Sequence, residues 1–113
     1  MKDLISYSDF AKIEIRLGTI ISAELNKKLR KPSFVLKIDF GEEIGIKKSS
    51  AQLTKNYRIE QLLHKQIVAV INFPKKQIGD LLSEVLVLGF PDENNEPILI
   101  TPDKNLVNGG KLY

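Results

Sequence analysis

Phe34-Val35-Leu36-Lys37-Ile38-Asp39-Phe40 alternates apolar and mixed positions at period two. That is the pattern of a strand with one face in a core and one in water. Gly41-Glu42-Glu43 turns the chain behind it into a third strand, expected over Ile44 to Ala51. Ahead of it, Asn26 to Pro32 (NKKLRKP) is a basic loop, and Ile13 to Leu25 forms a long first strand. In that strand Ile15, Leu17, Thr19, Ile21, Ala23 and Leu25 are expected on one face. Gly18 in its middle signals a bulge or sharp bend, which a curling strand needs.

Farther out, Arg58 to Lys65 carries Ile59, Leu62 and Leu63 at helical spacing, so a short helix is expected there. Asp9 to Lys12 opens or closes another at the N-terminus. Gln66 to Phe73 is an apolar strand suited to burial on both faces and ended by Pro74. Glu84 to Phe90 is the next strand, and Pro91 to Asn95 an exposed turn. Ile98 to Thr101 and the Leu112 region close the chain. Short strands between turn signals predict an all-β domain. Five principal strands, with short helices at the N-terminus and between strands three and four, follow the order of an OB-fold barrel; an SH3-like barrel gives a similar pattern.

The 113 residues make one domain, 1–113, and 42% hydrophobic content fills one modest core. No apolar run approaches the roughly 20 residues of a membrane helix. The opening MKDLISYSDFAK lacks the apolar centre of a secretory signal, so the expected place is cytoplasmic. With no cysteine, disulfides and thiolate metal sites are excluded. Charge is segregated. Nine Lys/Arg face three Asp/Glu between Asn26 and Arg58, whereas Gln77 to Asp103 holds six acids and no base. A basic segment of this kind attracts phosphates or acidic peptides, or is simply solvated.

Catalysis finds little support. The one histidine, His64, has no sequence neighbours that would complete a triad or a metal set, and a serine nucleophile needs a base. Gly109-Gly110 lacks the lysine-serine pair of a phosphate loop, and no EF-hand spacing follows Asp39, Glu42 and Glu43. No cofactor, no metal and no enzymatic activity are expected.

Three blocks go beyond pattern. Ile13-Glu14-Ile15-Arg16-Leu17-Gly18-Thr19-Ile20 is the first, and Glu43 to Tyr57 (EIGIKKSSAQLTKNY) is the second. The third is Val70-Ile71-Asn72-Phe73-Pro74-Lys75-Lys76-Gln77-Ile78, then Ser83-Glu84-Val85-Leu86. In order and spacing, over about Phe10 to Lys111, they resemble the tRNA-binding-domain (EMAP II-like) family of OB folds. Within it they are most similar to the CsaA-type export-chaperone branch. The tRNA-binding members carry S-E-G-M where this chain has Ser83-Glu84-Val85-Leu86. Asp80 falls where they usually have glycine, and Leu81-Leu82 makes that loop more apolar. These departures suit a peptide surface better than one that tracks phosphates.

The resemblance implies an ATP-independent, non-catalytic chaperone that binds extended peptides of unfolded proteins or preproteins for export. The alternative is a tRNA or structured-RNA binder. It also implies a homodimer without membrane insertion, burying Leu4, Ile5, Tyr7, Ile98, Leu99, Ile100, Leu112 and Tyr113, unless these close the bottom of one barrel. The implied ligand site has Lys47, Ser49 and Gln52 on one wall. Asn72, Lys75, Lys76, Ser83 and Glu84 form the other, with Phe73 and Leu86 as an apolar lining. Ordinary roles stand beside these: Ser49 solvent-facing, Asn72 a turn cap, Phe73 core, Glu84 paired with Lys76. Arg16 is expected to pair across the barrel end.

Overall fold

A computed structural model describes all residues, Met1–Tyr113. The chain runs α1 (Tyr7–Ala11), β1 (Ile15–Asn26), β2 (Ser33–Asp39), β3 (Ile46–Ala51), α2 (Ile59–Leu62) and β4 (Gln66–Val70). Then follow β5 (Lys76–Ile78), β6 (Leu81–Ser83), β7 (Leu86–Val87), β8 (Gly89–Pro91) and β9 (Pro97–Leu99). Five strands form one antiparallel sheet in the order β3-β2-β1-β4-β7. Two hairpins, β5-β6 and β8-β9, hang from it. The fold is the all-β, OB-type curled sheet expected, with its two short helices. No helix is long and apolar enough to cross a membrane.

The alternation of β2 is realised as read. Phe34, Leu36, Ile38 and Phe40 are all in the core. They meet Ile20, Ile67, Ala69 and Val85, while Leu62 of α2 plugs the cluster from below. Gly18 is buried for a steric reason: a Cβ there would sit 2.6 Å from Ile38 Cγ2 and 2.7 Å from Phe40 Cδ1.

The long first strand differs in phase from the expectation. Its irregularity lies between Ile20 and Ser22, not at Gly18. One residue is absorbed there, so the inward face changes parity, from Gly18 and Ile20 before the bulge to Ala23 after it, and Ile21 is left exposed. The bulge is what lets one strand pair with β4 in its first half and β2 in its second.

Four boundaries also move. The third strand starts at Ile46, because Gly45 at φ +86° still belongs to the turn. The Gln66 strand ends at Val70, leaving Asn72 and Phe73 exposed beyond it. The span Lys76 to Ser83, where no strand is expected and the stretch between Ile78 and Ser83 is read as a loop, is the β5-β6 hairpin. The Glu84 to Phe90 strand is split: β7 pairs with β4, and β8 swings out to pair with β9.

The C-terminal strap is fixed by Gln66, whose side chain donates to the Leu106 carbonyl (2.6 Å) and accepts from the Leu106 N–H (2.9 Å). Arg16 works at the barrel end as expected, bonding Glu14 (2.9 Å) and the Gly109 carbonyl (2.8 Å).

Candidate functional site: a groove at the barrel seam

The sheet curls until its edge strand β3 faces residues 83–85, but no backbone ladder joins them. One backbone bond crosses, from Glu84 N–H to the Lys48 carbonyl at 2.8 Å. Side chains supply the rest. The Glu84 carboxylate accepts the Lys48 N–H (3.0 Å), the Ser83 hydroxyl accepts the Ser50 N–H (3.0 Å), and the Ser49 hydroxyl donates to the Val85 carbonyl (3.1 Å). A buried backbone group left without a partner would cost about 1–3 kcal/mol, which is why polar residues recur here in an otherwise apolar strand pattern.

Because the closure is made by short side chains, the seam is open on its outer side. A cavity of about 380 Å³ lies there. Phe73, Pro74, Lys76 and Ile78, from before the hairpin turn, and Ser83, Glu84, Val85 and Leu86, from after it, line it, with Ser50 at the base. The stretch after Asn72 and the stretch after Ser83 therefore line the same cavity, side by side where Lys76 pairs with Ser83. Phe73 and Leu86 offer it half their surface, 52% and 49% exposed. A second cavity of about 240 Å³ continues along the seam, sharing Ser50 and Leu86 and adding Gln52, Leu53, Val87 and Leu99.

The ten anticipated residues divide into two groups. Phe73, Lys76, Ser83, Glu84 and Leu86 line the first cavity, and Gln52 the second. Lys75 stands at the rim, its ammonium 3.5 Å from the Glu84 carboxylate, the partner expected instead being Lys76. Lys47 is half-buried opposite Ile38. Ser49 is 1% exposed and occupied by Val85. Asn72 points the other way: its amide accepts the Glu14 N–H (2.9 Å) and donates to the Lys12 carbonyl (2.7 Å). It thereby fastens the segment after α1 to the end of β4. Sequence reasoning left out Ser50, Pro74, Ile78 and Val85. Ile78 had a signal, since it lies two residues after Lys76 and so shares its strand face.

Glu84 titrates below the usual carboxylate range. The Lys48 N–H it accepts is the main cause, Lys75 and Lys47 add to it, and partial burial opposes it. Its charge is thus held at neutral pH as part of the seam.

Residues 15–111 match the profile of the "Putative tRNA binding domain" family. The chain belongs to that family. Among solved structures it is similar to the chaperone CsaA of Bacillus anthracis, with 45% identity, a TM-score of 0.92, and 98% of this chain and 100% of that one covered. The CsaA chaperone protein of Picrophilus torridus is similar at 47% identity and TM-score 0.90, covering 97% of this chain and 100% of the other. The methionine–tRNA ligase of Methanococcoides burtonii is 38% identical over 112 residues, 99% of this chain but 16% of the ligase. The chain spans about a sixth of the length of the ligases it matches.

Proposed function

We propose that this family member is a non-catalytic, ATP-independent chaperone that holds extended segments of unfolded proteins or preproteins, acting in the cytoplasm ahead of export. One observation carries the reading: a seam groove lined by Phe73, Ile78, Val85 and Leu86, with Lys76 in its lining and Lys75 beside Glu84. Extended peptides gain affinity from main-chain hydrogen bonds and specificity from such pockets. The likeness to CsaA chaperones, at 45% and 47% identity over nearly all of the chain, supports it.

In this reading Phe73, Leu86 and Gln52 touch the ligand, and Lys75 and Lys76 meet its charges. Lys47, Ser49, Asn72, Ser83 and Glu84 position that surface. A homodimer would pair two grooves on one body and raise the effective concentration for a long ligand. Leu4, Ile5, Tyr7, Ile98, Leu112 and Tyr113 are exposed and available to bury, whereas Leu99 lies in this chain's own core.

The second reading is a tRNA-binding module, favoured by the family and by the methionine–tRNA ligases. Titration of an unfolded polypeptide and of tRNA at low and high salt separates the two. Phosphate contacts release counterions, so RNA affinity falls steeply with salt. The chaperone reading expects polypeptide binding that falls less steeply with salt than tRNA binding and exceeds it at high salt. Salt-sensitive tRNA binding without polypeptide binding would reverse the assignment.

A further inference from the structure

The groove is electrostatically lopsided. Lys76 lines the first cavity together with its single carboxylate, Glu84; Lys75 pairs with that carboxylate, and Lys48, whose backbone bonds Glu84, shares a strand face with its cross-strand partner Lys37. Lys37 and Lys48 are direct cross-strand partners, a like-charge juxtaposition that costs stability in a sheet. Lys48 shares its strand face with Ser50, at the base of the groove. None of Lys37, Lys47, Lys48 and Lys76 has a carboxylate within ion-pair distance. Glu84 cannot serve them all, being already engaged by Lys75 and by the Lys48 N–H.

The adjoining cavity is the opposite. No charged side chain lines it, and its walls are Leu53, Leu86, Val87, Leu88 and Leu99 around the Gln52 amide. Along the shared wall the two cavities are offset from Glu84 to Val87, about 10 Å at strand rise.

We propose that the groove selects extended acidic–aliphatic peptide segments: carboxylates held at the lysine end, and an aliphatic side chain a few residues along seated in the uncharged cavity. The inference rests on the peptide-capture reading and narrows it to a ligand class. An unpaired lysine cluster stores repulsion that an anionic ligand relieves, so charge complementarity both steers and discriminates. A single nucleic-acid strand fits the geometry less well. Such grooves stack successive bases on aromatic rings, and Phe73 is the one aromatic residue in either cavity.

The test uses the full chain and fluorescently labelled unstructured peptides of equal length and equal aliphatic content. Their polar positions are Glu, Gln or Lys. A fourth peptide keeps Glu but replaces the aliphatic residues by Ser, and a single-stranded RNA of matched charge is the fifth probe. Anisotropy at about 150 mM salt should show the Glu peptide binding about tenfold tighter than the Gln peptide and the Lys peptide weakest. The Ser version should lose most of that affinity. The double variant Lys48→Gln/Lys76→Gln, checked for an unchanged circular-dichroism melt, should bring the Glu-to-Gln ratio towards one. Equal binding of Glu and Gln peptides, or tightest binding of the Lys peptide, overturns the inference while peptide capture stands. Binding of RNA alone overturns both.

Discussion

Glu84 and Lys48 bond each other twice across the seam: Glu84 N–H to the Lys48 carbonyl at 2.8 Å, and Lys48 N–H to the Glu84 carboxylate at 3.0 Å. The side chain here substitutes for the next rung of a backbone ladder, which makes Glu84 a structural acid at the edge of the groove. Glu84→Ala should therefore cost about 1–3 kcal/mol by urea unfolding, since a backbone donor loses its charged acceptor. Glu84→Gln keeps an acceptor and should cost less than half as much. Equal losses would mean that the Lys75 ion pair, not the backbone bond, is what matters.

The same acid gives a pH signature. Its folded-state pKa lies below the ordinary value of 4.5, chiefly through the Lys48 N–H. A depressed carboxylate contributes stability that is fully present above its unfolded pKa and is lost as pH falls through the folded one. Glu14, beside Arg16, Asp80, beside Lys28, and Asp92, bonded by Asn56, are lowered as well. Stability should be flat from pH 7 to about 5 and fall below about 4.5. In Glu84→Gln that fall should be shallower than in wild type, as measured by denaturant midpoints across the range.

Asn72 spends both ends of its amide on Lys12 and Glu14. Asn72→Ala should speed amide exchange across Ser6 to Glu14 and cost about 1–2 kcal/mol for the two lost bonds. Asn72→Asp, which keeps only the acceptor, should fall between. Exchange that stays at the wild-type rate in Asn72→Ala would show that the N-terminal helix is held by other contacts.

Gly18 has no room for a methyl group between Ile38 and Phe40. Gly18→Ala should lower stability by about 1–3 kcal/mol through forced repacking, visible as a reduced melting temperature. An unchanged melt would mean that β1 shifts outward at no cost.

Much of the fold was legible because period two survives wherever one face of a strand is covered, as from Phe34 to Phe40. It failed where the phase changes without a marker. Nothing at Ile20-Ile21-Ser22 announces a bulge, since two isoleucines read equally well in either register. Lys76 to Ser83 was missed as a hairpin because Gly79-Asp80 makes so tight a turn that each arm is three residues long. Part of the groove was legible through its motifs, which single out Phe73, Lys76, Ser83, Glu84 and Leu86, five residues that line one cavity; the opposite wall expected from Lys47 and Ser49 is not part of it. What motifs could not convey is where each polar atom goes. Ser49 and Asn72 look like ligand contacts in one dimension, yet their partners, Val85 and the Lys12–Glu14 backbone, lie 36 and about 60 residues away.

The seam groove is the proposed seat of an extended polypeptide. The most direct measurement is residue-by-residue NMR shift mapping of the full chain as an acidic–aliphatic peptide is added. Perturbations should concentrate on Phe73, Lys76, Ile78, Ser83, Leu86 and Gln52 and vanish in Leu86→Lys. Perturbations confined to the opposite face, or none at saturating peptide, would rule the groove out as the peptide site.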